Sequence, residues 1–375
     1  MENMELKTNF NGIYSGKKVL ITGNTGFKGT WLTEWLNELG AQVIGISDCI
    51  PTEPSMYSLL ETKNRVKQYF NDINDLTYLK DLLEKEKPDF VFHLAAQALV
   101  GLSYSNPFET ITTNVMGGTV VLEAIREYNN EITVVFITSD KAYENIEQLW
   151  GYKENDKLGG KDIYSSSKGS IDILARSYWY SFYQFNDKIQ FGVARAGNVI
   201  GGGDWAKDRI IVDCINSWSK NEKVNIRSPR ATRPWQHVLE PLSGYLSLGM
   251  HLNLNFKKLN EFQDFNFGPK PKLNITVEKL ISDLANNLDL ELKVPYEISD
   301  EIPFDEAKLL KLNCEKAAIK LDWEAVLEYS ETVDFTGQWY SNFIKDPSLL
   351  LQITKDQIIN YVKIAKSRNI SWTRN

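Results

Sequence analysis

Tyr164 and Lys168 stand four residues apart, so on a helix they share one face. A lysine ammonium beside a phenol favours the phenolate, and a cationic nicotinamide nearby favours it further, against an ordinary phenol value of about 10. Such a tyrosine can take a proton from a hydroxyl while hydride leaves the same carbon. A second cluster, Ser139-Asp140-Lys141, follows the apolar run Thr133–Thr138 and places a hydroxyl, a carboxyl and an amine at a strand's carboxyl end. Open α/β sheets bind their ligands at those ends. Taken alone, a Y-x-x-x-K spacing fits a solvated helix face and a polar triplet fits a capped strand end, so the surrounding elements decide.

Those elements read as βαβ units. Short β-branched runs at Val19–Thr22, Gln42–Ser47, Phe90–Leu94, Thr133–Thr138 and Gln190–Arg195 alternate with helical patterns, as a parallel sheet requires. Leu32, Trp35, Leu36 and Leu39 repeat at helical spacing, and Val115, Thr119, Leu122 and Ile125 do so less strictly. After Gly197–Trp205 the rhythm changes to longer helices, with short strands near Val224–Ile226 and Phe265–Phe267 and helical patterns at Val277–Leu288 and Val333–Ile344. The expected fold is α/β: a Rossmann-type doubly wound parallel sheet with a smaller C-terminal α/β substrate lobe. Residues 1–196 mainly form the first domain and 197–345 the second, with crossing of the chain allowed for. Residues 346–375 form a helical tail that carries an amphipathic pattern from Ile353 to Ile364.

The segment "VLITGNTGFKGTWL" sets Gly23, Gly26 and Gly29 between an apolar strand and an amphipathic helix. Glycines allow a tight turn and close backbone approach, and a helix N-terminus attracts a pyrophosphate. The strand before and the helix after turn a weak glycine triplet into a dinucleotide-binding signal. Asp48, past the second strand, can accept from a ribose 2′-hydroxyl and repel a 2′-phosphate, which favours NAD over NADP. The expected cofactor-binding residues are Gly23, Thr25, Gly26, Phe27, Lys28 and Gly29, then Asp48, Asp72 and Ile73, then Leu94, Ala95, Ala96 and Gln97, then Asn114 and Thr138, with Tyr164 and Lys168. His93 and His237 are expected to be structural.

Composition narrows the partners. The 375 residues, 42% of them hydrophobic, can fill a sizeable core, and a net charge of −7 argues against general nucleic-acid or anionic-membrane binding. Cys49, Cys214 and Cys314 are odd in number and lack CxxC spacing, which fits a reducing compartment and no metal site. No segment approaches the roughly 20 apolar residues of a membrane span, and the N-terminus lacks a leader pattern. The expectation is a cytoplasmic, soluble protein.

In order along the chain, "TGNTGFKGTWL", "HLAAQALV", "NVMGGTVVLEAIR", "TSDKAYEN", "WGYKENDKLGGKDIYSSSKG", "ARAGNVIGGGDWAKDR" and "RPWQHVLEPLSGYL" resemble the extended short-chain dehydrogenase/reductases. Within them the likeness is to the nucleotide-sugar 4,6-dehydratases, nearest those acting on CDP-glucose, and it runs from about Lys17 to Ile344. The resemblance implies that Tyr164 deprotonates the sugar C4 hydroxyl and that Lys168 holds the tyrosine and the nicotinamide ribose. NAD+ accepts the C4 hydride, the 4-keto group acidifies the C5 hydrogen, Asp140 protonates the departing C6 hydroxyl, and hydride returns to C6. Ser139 positions the C4 oxygen. Relatives acting on dTDP-glucose carry a glutamate as the C5 base where this chain has Lys141, which can serve as a base only when neutral. Both a base and an electrostatic role stay open for Lys141.

On the substrate side the expected residues are Ser103, Asn198, Arg209, Arg230 and Arg233. Guanidinium forks match pyrophosphate oxygens, and by resemblance Arg233 is the pyrophosphate arginine. The chain departs from the CDP-glucose group at Gly101-Leu102, where basic residues are expected, at Asn24 in place of histidine, and at Ala142 in place of cysteine. Those departures leave the nucleotide and hexose open. A 4-epimerase or reductase needs Tyr164 and Lys168 but not Asp140, and a non-enzymatic cofactor sensor needs none of them, so the full set favours a dehydratase. The resemblance further implies a homodimer through helices beside Tyr164, with Tyr178, Trp179 and Phe182 suited to that face or to the core.

Overall fold

The computed structural model describes residues 6–226, 228–255, 259–270, 275–288, 295–298 and 309–374. Seven strands form one parallel sheet: β1 (Lys18–Thr22), β2 (Gln42–Ser47), β3 (Lys67–Phe70), β4 (Phe90–His93), β5 (Ile132–Ile137), β6 (Ile189–Ala196) and β7 (Gln263–Phe267). Their spatial order is β7-β6-β5-β4-β1-β2-β3. The order reverses between β1 and β4, which opens the crevice where such sheets take ligands. In register, Thr22 lies beside His93 and His93 beside Phe136, so β1, β4 and β5 end together at that crevice.

The central strands read as unbroken apolar runs because both sheet faces are covered; every residue of β5 and β6 is buried. On one face lie helix α1 (Phe27–Glu38), through Trp31, Leu32, Trp35 and Leu36, and a later helix, Leu239–Leu254, through Leu242, Leu246 and Leu248. On the other face lie α2 (Leu76–Glu86), α3 (Gly118–Glu127) and α4 (Ile163–Ser181), through Leu79, Leu83, Leu122, Ile125, Ile171 and Ala175. This is the doubly wound arrangement expected.

One finding corrects the sequence reading, and a second decides between alternatives it left open. The strand near Phe265–Phe267 belongs to the main sheet, paired with β6, and not to the smaller lobe; its Leu239–Leu254 helix is the crossover that returns the chain. Trp179 is core at 6% exposure while Phe182 is exposed, so only the second suits an outer face. Among the described residues, the chain beyond the sheet adds three two-stranded pairs: Val199–Ile200 with Gln236–His237, Thr232–Arg233 with Ile275–Thr276, and Val224–Ile226 with Tyr296–Ile298.

The C-terminal helix Leu350–Ser367 packs on α1. Tyr361 meets Trp35 edge to face at 5.5 Å, and Lys355 pairs with Glu38 at 2.9 Å. The tail therefore braces the helix that follows the glycine turn. No helix among the described residues is long and apolar enough to cross a membrane.

Candidate active site

The glycine turn is built for close approach. Gly23 has φ +74°, and a Cβ there would stand 2.8 Å from the Ala95 backbone; one at Gly29 would stand 2.2 Å from the Gly23 carbonyl oxygen. Gly26, the residue before α1, offers no side-chain cap, so the first N–H groups of the helix are left to attract an anion. Thr25 fastens the turn to the end of β2, donating from Oγ1 to the Cys49 carbonyl at 2.7 Å and from its N–H to Ser47 Oγ at 3.3 Å. Asp48 is exposed at that strand end and Asp72 at the end of β3, with Ile73 buried beside it. Leu94 leaves β4 held by the Thr22 carbonyl at 3.1 Å. An uncapped helix start, an exposed carboxylate past β2 and an open strand end together fit a dinucleotide.

The expected catalytic residues converge. Ser139 follows β5 and caps the short turn Asp140–Ala142, its Oγ accepting the Lys141 N–H at 3.2 Å and donating to Asp140 Oδ1 at 3.0 Å. Tyr164 and Lys168 project from the first turns of α4, whose start is capped by the Asp162 carboxylate on the Ser165 N–H at 2.9 Å. All four of Ser139, Asp140, Tyr164 and Lys168 are buried, while Lys141 is half-buried.

Burial dominates the protonation of this group. It raises Asp140 above the usual carboxyl value, against the pull of Lys141, Ser139 and Lys28. It lowers Lys168 to about 8, with the nearby Lys28 charge adding to the effect. The Tyr164 phenol is pushed up by burial, which outweighs the Arg209 charge and a Ser139 hydrogen bond. In the protein alone, desolvation of the phenolate outweighs the cations around it; the expected lowering relied on a cationic nicotinamide as well.

The structure also brings in residues whose part the sequence did not reveal. The Lys28 side chain, expected at the cofactor, reaches Tyr245 OH at 3.4 Å and feels the charges of Asp140, Asp204 and Arg209; burial brings it down to about 8. Asp204, from "GGGDW", is buried and held above its usual value by burial. His93 is held at 2.8 Å from Thr22 Oγ1 and pushed down to about 3 by burial and the Lys168 charge, so it stays neutral. His237 is likewise buried, between Trp31 and Phe335. Both histidines are buried.

Asn114, expected on the cofactor side, is held by protein partners. Its amide exchanges two hydrogen bonds with the Gln97 backbone, at 2.8 and 3.1 Å, and donates to Ser167 Oγ at 2.9 Å. It ties the Leu94–Gln97 segment to α4. Thr138 is similar: its hydroxyl donates to Asp172 on α4 at 2.8 Å.

On the substrate side, Arg209 stands at the start of the Ile210–Trp218 helix, donates from Nη2 to the Ala98 carbonyl at 3.5 Å, and has a buried Nε without a partner. An orphaned guanidinium N–H beside Tyr164 suits an anionic ligand. Ser103 is buried, donating to the Val100 carbonyl at 2.7 Å, and Asn198 is half-buried past β6. Arg233 is buried in its two-residue strand, and Arg230 is exposed on the preceding turn.

Comparison with known proteins agrees with this geometry. The family model described as GDP-mannose 4,6 dehydratase matches residues 20–336. The CDP-glucose 4,6-dehydratase of Salmonella typhimurium is 41% identical over 353 residues, covering 93% of this chain and 97% of its own. The human dTDP-D-glucose 4,6-dehydratase is 26% identical, covering 86% and 90%. Among solved structures, a UDP-glucose 4-epimerase from Thermotoga maritima superposes with a TM-score of 0.75 at 21% identity, over 87% of this chain and 99% of its own. A dTDP-glucose 4,6-dehydratase from Bacillus anthracis, in complex with NAD, gives 0.71 at 20%, over 87% and 97%. At those identities the structures establish the fold.

Proposed function

Because this chain belongs to the GDP-mannose 4,6 dehydratase family, we propose that it dehydrates a nucleoside diphosphate hexose, CDP-glucose foremost, to the 4-keto-6-deoxy sugar. The observation that carries this reading is Asp140: a buried carboxyl, hydrogen-bonded to Ser139 and kept protonated to higher pH by its surroundings, near Tyr164. A 4-epimerase has no use for such an acid.

The glycine turn, the start of α1, Asp48 and the Leu94–Gln97 segment would hold NAD, which would supply a reversible hydride acceptor for the sugar C4 and C6 carbons. Tyr164 accepts the C4 hydroxyl proton, helped by the Arg209 charge and the Ser139 hydrogen bond, with Lys168 one helical turn along α4. Ser139 positions the C4 oxygen. Lys141, on the same turn as Asp140, takes the C5 hydrogen, and Asp140 gives its proton to the C6 hydroxyl so that water leaves. Arg209, Arg233 and Arg230 receive the diphosphate, with Ser103 and Asn198 beside the nucleotide sugar.

We assign a homodimer through the outer face of α4 and the segment before α3, where Phe108, Ile111, Met116, Ile173 and Tyr180 are exposed; paired copies would bury them. A cytoplasmic place in deoxysugar supply for a polysaccharide fits the chemistry and the free cysteines.

The test is incubation of the NAD-loaded protein with CDP-glucose and other nucleotide hexoses, reading product mass. Loss of one water without consumption of cofactor is expected; every sugar emerging unchanged overturns the reading. In Lys141→Ala, solvent hydrogen should enter C5 at least tenfold more slowly than in the parent, on the order of a lost general base.

A further inference from the structure

Asp172 has no part in the chemistry above, yet it is fully buried on α4, one helical turn beyond Lys168. Arg195, fully buried on β6, grips both of its oxygens, from Nε to Oδ2 at 2.7 Å and from Nη2 to Oδ1 at 2.6 Å. Oδ2 also accepts the Thr138 hydroxyl at 2.8 Å, and the Thr138 N–H is bound to the Ala194 carbonyl of β6 at 2.9 Å. On the other side, Arg195 Nη1 donates to Tyr143 OH at 2.9 Å, and that hydroxyl donates to Asn266 Oδ1 at 2.8 Å.

Thr138 immediately precedes Ser139, and Tyr143 immediately follows the Asp140–Ala142 turn. The turn that carries the proton donor is thus held at both ends by one buried ion pair, and the same pair grips the helix of Tyr164 and Lys168. A buried ion pair is a poor source of net stability, since desolvating the charges offsets their attraction, and an apolar replacement would often serve as well. What the pair supplies is direction: a planar fork, two oxygens and two hydroxyls fix one register between helix and strand end. Its charge is balanced further out, where Asp264 accepts from Arg195 at 3.1 Å and from Lys316 at 2.6 Å.

We infer that Asp172 and Arg195 are positioning residues that set the Ser139–Asp140 turn against Tyr164, acting through Thr138 and Tyr143. This rests on the dehydratase reading. A displacement of about 1 Å at reacting groups can cost on the order of 100-fold in rate, so the clamp should register in kcat and not in substrate affinity.

The test removes one hydroxyl and keeps the shape. Thr138→Val should keep its melting temperature within a few degrees and its KM for CDP-glucose within about twofold, and lose about 10- to 100-fold in kcat. Thr138→Ser, which restores the hydroxyl, should recover most of that loss. A second readout needs no turnover: in tyrosine-ring carbon NMR, the resonance missing from Tyr164→Phe reports the Tyr164 phenol. Its midpoint should rise in Thr138→Val, as the Ser139 hydrogen bond to the phenolate is lost, and return in Thr138→Ser. Arg195→Lys keeps the charge without the fork and should mimic Thr138→Val. An unchanged kcat and phenol midpoint in Thr138→Val overturn the clamp, as does an equal loss in the Val and Ser variants. Should the parent protein convert no nucleotide hexose, the dehydratase reading fails, and the phenol midpoint alone decides the clamp.

Discussion

Ser139 donates its hydroxyl proton to Asp140 Oδ1 across 3.0 Å while accepting the Lys141 N–H at 3.2 Å. One serine therefore orders the Asp140 carboxyl and the backbone of the turn that carries Lys141, and burial raises that carboxyl so that it holds a proton where an exposed aspartate would not. Replacing that acid with an amide keeps the shape and removes the proton. Asp140→Asn should lower dehydration by about 100-fold or more while C4 oxidation persists, seen as transient NADH absorbance after mixing with substrate. Equal loss of both steps would show that Asp140 serves the redox half as well.

Arg209 is the cation whose charge reaches Tyr164, Lys28 and Asp204 together, and its Nε lacks a partner. A lysine there keeps the charge but loses the planar fork. Arg209→Lys should raise KM for CDP-glucose by about tenfold, the value of one charge-assisted hydrogen bond, with a smaller fall in kcat. Steady-state kinetics would count against the assignment if KM stayed put and kcat alone collapsed.

Gly29 closes the turn beneath the cofactor. An alanine Cβ would lie 2.2 Å from the Gly23 carbonyl oxygen and 2.7 Å from Asn24 Cα, and backbone cannot give way as a flexible side chain can. Gly29→Ala should purify with less than about a tenth of the parent's NAD and lose about 1–3 kcal/mol of stability to overpacking. Cofactor released by acid and measured per chain, together with denaturant melts, checks both.

How far the fold was legible depended on which contacts are local. The five apolar strands and the α1 pattern of Leu32, Trp35, Leu36 and Leu39 follow from short-range periodicity, and all of them fall in the sheet and its cover. Strand β3, "KQYF", escaped because an edge strand with exposed Lys67 and Phe70 has no continuous apolar run. The β7 strand was visible, but its place beside β6 depends on a crossover of the whole Leu239–Leu254 helix. In the site, Tyr164, Lys168, Ser139 and Asp140 announce themselves by spacing and strand-end position. Lys28 was legible as part of the glycine turn, but the reach of its amine to Tyr245, 217 residues away, was not. Asp172 and Arg195 read from the sequence as an ordinary helix residue and an ordinary strand residue. Only the fold makes them partners.

The tail offers a test that involves no substrate. Glu240 is buried in the Leu239–Leu254 helix, where it accepts the Val326 N–H at 2.9 Å, the Leu327 N–H, and the Tyr361 hydroxyl of the C-terminal helix at 2.8 Å. Burial lifts its carboxyl from 4.5 to about 7, against the pull of those donors and the more distant Lys270 charge; Arg368 also feels it. A carboxyl whose folded value lies above its unfolded value binds more protons in the folded state over that interval. Its contribution is therefore fully present below about 4.5 and is lost as pH rises through 7. Glu240→Gln removes the titration, leaving only a constant cost for the amide's poorer match to two N–H donors. The melting temperature of the variant minus that of the parent should thus climb between pH 5 and pH 8, by on the order of a few degrees. Parallel melting curves across that range would mean that Glu240 stays ionised throughout, its three donors outweighing burial.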